Sequence, residues 1–294
     1  ASGGPDGAVV RQIDLRTRDD NLSGLLSLVY DFSDDVMGYV TASRGSKAGG
    51  INPTIPGGTA SPQSLIIEPE QATTYEAGIK GSALQGRLRV SASIFNTIVK
   101  DYQTTFYDAA TRFTTLANGG KIRSRGVELE AEVRPLSGLS INMSGSYNQA
   151  NYLRYTAAPC SAEFAASPTA PSPCSQDLSG QAVVGAPRWI LSSSAYYSTK
   201  IGGEKEIFGL GELSYRSRQF GSIDNSRVGV IDGYALVNLR AGIRAGDGRY
   251  ELALWARNLT NRTYATTMLA LGRGLYNAYL GDKRSVGATF RFTY

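Results

Sequence analysis

Three carboxylates at alternate positions, Glu128, Glu130 and Glu132, are the first residues whose type and spacing could do chemistry. In an extended segment they share one face, so they can be read as a carboxylate pair for acid–base work or as a cation site. Ser-His-Asp and Cys-His catalysis are excluded, as is His-ligated zinc, because the chain contains no His. The only two cysteines, Cys160 and Cys174, lie in a Pro/Ala/Ser-rich stretch. Outside the cell such a pair forms a disulfide, and the competing reading is two thiols on a metal. Gly209 and Gly211 make a Gly-x-Gly that lacks the third glycine and the helix of a dinucleotide turn, and no phosphate-binding loop occurs. Neither an enzyme nor a bound cofactor is expected.

The elements that must carry these residues are strands. Val127, Leu129, Ala131 and Val133 alternate with Glu128, Glu130, Glu132 and Arg134; Leu88, Val90, Ala92 and Ile94 alternate with Arg87, Arg89, Ser91 and Ser93. The last run does the same, with Val286, Ala288, Phe290, Phe292 and Tyr294 on one face and Arg291 among the polar residues of the other. A period of two marks a strand with one apolar and one polar face. Reading on predicts about eleven strands, near 22–32, 36–45, 72–81, 86–102, 122–134, 138–153, 188–199, 206–218, 233–245, 249–258 and 284–294. No helical period of comparable strength is present.

The connections alternate in length. Short ones fall near FSDD, SALQ, PLSG, KIGGEKE and GDG, and long ones near 45–71, 103–121, 154–187, 219–232 and 259–283. A soluble sandwich has no reason to gather its long loops at one end, whereas a transmembrane barrel does. The expected fold is therefore an all-β, antiparallel transmembrane β-barrel. No run of 18 apolar residues exists, which excludes a membrane-crossing helix but not membrane-crossing strands. The excess of 30 basic over 25 acidic residues is spread along the chain without a basic block, so no nucleic-acid partner is expected.

In a barrel the apolar faces meet outer-membrane lipid and the charged faces line the lumen. Glu76, Arg87, Arg89, Glu128, Glu130, Glu132, Arg240 and Arg291 are then lumen residues, and the three glutamates pair with Arg87, Arg89 and Arg134 instead of forming a catalytic or cation site. Tyr102, Phe106, Tyr107, Phe220, Tyr276 and Tyr279 fall in or beside the long loops. There they can stack on a small-molecule cargo or pack the loops on one another.

Five segments carry a family resemblance. YVTASRGSKAGGIN (39–52), EPEQATTYEAGIKG (68–81), NGGKIRSRGVELEAEVRPLSGL (118–139), WARNLTNRTY (255–264) and the aromatic last strand resemble, in order, the barrel segments of TonB-dependent outer-membrane receptors. The resemblance implies a 22-stranded barrel, a plug domain in its lumen, a TonB-box peptide, and import of a scarce nutrient, most often a ferric siderophore, with cobalamin or glycans as other cargoes. A passive porin or adhesion barrel is the alternative function. Phe290, Phe292 and Tyr294 resemble the terminal signature read by the barrel assembly machinery. Nothing in 1–294 resembles plug or box, so contact with the TonB complex would run through parts not seen here. An odd number of strands implies part of a barrel, since single-chain bacterial barrels have an even number, and the resemblance implies that this part is the C-terminal half. Counting back from a descending last strand puts 1–20 in an outer loop. These residues alone should form an open, curved sheet.

Overall fold

The computed structural model describes residues 14–52, 65–108, 113–172, 174–246, 248–272 and 274–293. Eleven strands form one sheet: β1 (Gly24–Ser33), β2 (Val36–Lys47), β3 (Glu70–Ala83), β4 (Leu88–Lys100), β5 (Lys121–Val133), β6 (Leu139–Arg154), β7 (Trp189–Gly202), β8 (Lys205–Arg216), β9 (Tyr234–Ala245), β10 (Tyr250–Arg257) and β11 (Ser285–Phe292). Each pairs antiparallel with its neighbour in sequence, so the sheet is an up-and-down meander. It is open, as expected: β1 and β11 each have a single partner among the described residues. The one helix among the described residues, α1 (Ala162–Ala165), lies in a loop and was not foreseen.

Register follows from the tight turns at 34–35, 84–87, 134–138 and 203–204 and from the short connection between Ala245 and Tyr250, all at one end. In the second of these, Leu84 and Gln85 take φ of 55° and 59°, and the Arg87 N–H donates to the Leu84 carbonyl at 3.2 Å. Gly86 follows at φ 78°, and successive positive φ values match the right-handed twist of the flanking strands.

Partners across a ladder share a face, so the register defines rows. Ala77, Ile94, Val127, Tyr147 and Trp189 form one apolar row across β3 to β7. Lys200, Glu206, Arg244, Glu251 and Arg291 form a row on the opposite face across β7 to β11, alternating in sign. The polar face is concave: Lys80, Arg89, Glu130, Asn142, Ser194 and Glu212 line a hollow of about 880 Å³. The apolar face is convex and bare, with Leu254, Val286 and Phe290 66%, 71% and 67% exposed. So much exposed apolar surface is unfavourable in water and suits lipid.

The strand alternation contributes little to a conventional core. Most buried apolar side chains, Leu65, Ile67, Tyr155, Ala158, Leu178, Val183 and Ile231, lie in the long connections. Aromatic residues on the concave face lie over glycines of the next strand: Phe95 over Gly126, and Phe208 over Gly242. A ring shields backbone that a glycine leaves bare, which explains part of the chain's high glycine content.

Candidate outer-loop and lumen sites

The concave face carries the charged residues. Glu132 is held from both sides, by Arg134 at 2.6 Å and by Arg89 at 3.4 Å. Arg244 grips Glu206 through two nitrogens at 3.0 Å and also donates to the Tyr196 hydroxyl at 3.1 Å. Arg240 pairs with Glu251 and leans over the Phe208 ring, 5.8 Å from its centroid. Glu76 accepts a hydrogen bond from the Tyr39 hydroxyl. Arg291 faces Glu251 across the ladder, but that carboxylate is taken by Arg240.

One sequence expectation is corrected here. Of the three glutamates on β5, only Glu132 is ion-paired among the described residues. Glu128 faces Ser93 and Ser146, and Glu130 faces Ser91 and Ser144. The turn at 84–87 sets Leu88 opposite Ala83, and β4 then brings Arg89 level with Glu132 alone. Arg87 stays in the turn and shares a recess with Arg134, Ser140 and Tyr196 at the tight-turn end.

At the other end every long connection contains a two-stranded ribbon. These are Gly50–Ile51 with Ile66–Ile67, Gln103–Asp108 with Phe113–Asn118, Ala158–Pro159 with Ser175–Gln176, Gln219–Phe220 with Val230–Ile231, and Ala265–Gly272 with Leu275–Leu280. The segment before β1 lies at the same end, since Asp19 accepts from the Gly49 N–H at 2.9 Å. Residues 1–13 lie outside the described residues.

Single polar side chains tie the loops in two groups. In the first, the Gln103 amide donates to the carbonyls of Ala48 (2.9 Å) and Glu68 (3.1 Å), and the Gln103 N–H donates to Glu70 (2.7 Å). Asn118 donates to the carbonyls of Glu68 (3.0 Å) and Asp101 (2.8 Å). In the second group Cys160 and Cys174 are joined, with Cα atoms 5.9 Å apart. The disulfide closes the loop that carries α1. There the Glu163 carboxylate accepts from the Ser226 hydroxyl at 2.9 Å and the Arg227 N–H at 3.0 Å. Gln176 reaches the carbonyls of Pro159 (2.7 Å) and Asp224 (2.8 Å), and the Tyr276 hydroxyl donates to Asp224 at 2.6 Å. Each such bond contributes roughly 0.5–1.5 kcal/mol net, more where a carboxylate is involved.

The electrostatics fit this geometry. Burial, then the hydrogen bond to Asp224, pushes the Tyr276 hydroxyl up to about 12. For Glu163, burial works upward, but bonds from its own backbone, Ser226, Ser161 and Arg227 outweigh it and hold the carboxyl below its ordinary value. Burial and the nearby Tyr102 push Tyr155 up to about 12.

Under the loops sits an apolar cluster of Ile122, Tyr152, Tyr155, Ala158, Leu178 and Val183, with Tyr102 packed against it. The loop aromatics therefore divide. Tyr102 and Tyr276 are engaged in packing and hydrogen bonding, Phe220 is half-buried, and Tyr279 is half exposed. The side chains of Phe106 and Tyr107 lie outside the described residues, as does Tyr294; Phe290 and Phe292 are on the convex face of β11. Sequence reading missed Gln103, Asn118, Glu163, Asp224 and Ser226, isolated polar residues in loops without period. The one available signal was that Cys160 and Cys174 bracket Glu163. Among the described residues no group of three metal-ligating side chains occurs.

Comparison with known proteins matches this arrangement. The family model "TonB dependent receptor-like, beta-barrel" covers residues 3–259. The pesticin receptor of Yersinia pestis is 34% identical over 131 residues, 45% of this chain and 18% of the relative. The ferric-pyoverdine M114 receptor PbuA of Pseudomonas sp. (strain M114) is 25% identical over 282 residues, 93% of this chain and 30% of its own length. The crystal structure of the ferric yersiniabactin uptake receptor FyuA from Yersinia pestis superposes with a TM-score of 0.73 at 23% identity, covering 93% of this chain and 37% of that one. The chain thus spans little more than a third, or less, of these relatives. It belongs to the TonB-dependent receptor β-barrel family and is a β-barrel wall of the bacterial outer membrane.

Proposed function

We propose that the receptor containing this chain imports a ferric siderophore across the outer membrane. In this reading the chain supplies the C-terminal half of the barrel wall and five outer loops. A plug domain and TonB box, carried elsewhere in the receptor, would gate the lumen and couple it to the TonB complex. The barrel assembly machinery would insert the wall through its aromatic last strand. The observation that carries the reading is the pairing of a polar concave face with cross-linked loops at one end, in a chain of this family. Ordered loops over a polar lumen can select a solute at the surface before it passes inward. Its relatives, a ferric-pyoverdine receptor and a ferric yersiniabactin uptake receptor, support an iron–siderophore cargo as its class.

The test is uptake of radiolabelled iron by cells expressing the full-length receptor, supplied with a panel of purified ferric siderophores. Uptake of at least one siderophore should require the receptor and collapse when TonB is deleted. Uptake that persists without TonB would identify a passive pore. No uptake of any panel member, with cobalamin or a glycan transported instead, would overturn the siderophore reading.

A further inference from the structure

Arginines on the two faces of the sheet are held differently. On the concave face Arg89, Arg134, Arg240 and Arg244 meet carboxylates. On the convex face, at the long-loop end, Arg44 donates to the Gln71 side-chain carbonyl at 2.7 Å, and Arg125 donates twice to that of Gln149, at 3.2 and 3.0 Å. A neutral amide orients a guanidinium without cancelling its charge, and each guanidinium keeps further donors free.

The register gathers these residues. Arg44, Thr73, Ile98 and Arg123 lie in one row across β2 to β5; Tyr75, Asn96 and Arg125 form the row toward the membrane; and Lys100 lies one row outward, level with Gln71. Adjacent strands are about 4.8 Å apart and same-face neighbours along a strand about 7 Å, so the four cations span roughly 15 Å. Among the described residues none of the four is ion-paired, and the convex positions of β2 to β5 carry no Asp or Glu. Within β7 to β11 the convex face holds one cation, Lys205, at the opposite end.

Depth fixes the partner. The row next inward from Arg125 is the apolar one that ends in Tyr147 and Trp189, whose rings meet at 4.8 Å. Tyr and Trp on a lipid-facing surface mark the border between acyl chains and headgroups. The cations therefore stand just beyond that border, at headgroup level, where exposed charge attracts anionic lipid.

We infer that Arg44, Lys100, Arg123 and Arg125 form a binding site for the phosphate groups of an outer-leaflet glycolipid. The inference rests on the outer-membrane reading with the long loops facing outward.

The experiment uses the delipidated full-length receptor in detergent, with adducts of purified lipopolysaccharide lipid anchor counted by native mass spectrometry. Arg44→Gln, Lys100→Gln, Arg123→Gln and Arg125→Gln together should lower affinity at least about ten-fold. On the unsubstituted receptor, the same lipid stripped of its phosphates should show an equal loss, which keeps the test independent of how the variant folds. Equal binding by the stripped lipid would overturn the inference. Displacement by inorganic phosphate at concentrations matching the lipid would assign the patch to free phosphate and also overturn it. Orientation is checked separately with Val228→Cys, in an exposed stretch of the loop at 217–233. An impermeant maleimide should label it on intact cells; no labelling would sink the orientation while leaving the detergent result standing.

Discussion

Removing the disulfide with Cys160→Ser and Cys174→Ser should loosen the second loop group and leave the first intact. The bridge spans a sequence separation of 14, and closing a loop of that size contributes about 3 kcal/mol in the chain-entropy treatment. That is an upper figure here, because the ends are also held by the ribbon Ala158–Pro159 with Ser175–Gln176 and by Gln176 on the Pro159 carbonyl. With part of the closure retained, a local loss of about 1.4–3 kcal/mol is expected, a ten- to 150-fold rise in opening. The opening would be felt where α1 docks. Arg227 donates its N–H to Glu163, and Ser226 donates its N–H to Asp224.

The assay is hydrogen exchange of the full-length receptor, resolved to the Ser226 and Arg227 amides. The internal control is the Gln103 N–H, bonded to Glu70 in the other loop group. Protection at Ser226 and Arg227 should fall by the stated factor while Gln103 stays unchanged. Protection within two-fold of the original at all three amides would refute the claim that the bridge holds this network. An equal fall at all three would show that the loops open as one body.

Other consequences are as direct. Leu129 is 51% exposed on the convex face; Leu129→Arg should cost about 2–4 kcal/mol at membrane depth and lower outer-membrane levels. Glu130→Ala, on the concave face beside serines, should not, and equal behaviour of the two would reverse the facing. Gly242→Ala should destabilise the barrel by roughly 1–3 kcal/mol, because an added Cβ would meet Phe208 at 2.8 Å and the Leu252 carbonyl closer still; an unchanged melting temperature would contradict that packing. Glu163 has a folded-state pKa below its ordinary value, so its contribution is present above the ordinary carboxylate range and lost as pH falls through the folded value. The protection factor at Arg227 should thus be flat from neutral to mildly acidic pH and drop only in stronger acid. In Glu163→Gln the acid step should vanish, and a step that survives the substitution belongs to another group.

The wall was legible because membrane and lumen impose a period of two that loops cannot imitate. Each strand end was read to within a few residues: β5 was expected at 122–134 and spans Lys121–Val133. Ladder partners were less legible, because turns set them. A reader of the chain sees three glutamates near three arginines, but only the 84–87 turn decides that Arg89 meets Glu132 while Glu128 and Glu130 face serines. The ribbon Ala265–Gly272 with Leu275–Leu280 was illegible for another reason. Its apolar residues serve two environments at once, Tyr276 packing down toward Asp224 while Leu275 and Tyr279 stay exposed, so no single period survives.

The same reasoning separates arginines that composition counts alike. A side chain one position along a strand moves from a face rich in carboxylates to a face that has none. Ser124 points to the lumen and Arg123 and Arg125 point away, so their charge is left for something outside the protein. A sequence pattern can place those residues on the outward face. What it cannot show is that Arg125 finds its acceptor in the amide of Gln149, as Arg44 does in that of Gln71, and a neutral amide directs the charge without neutralising it.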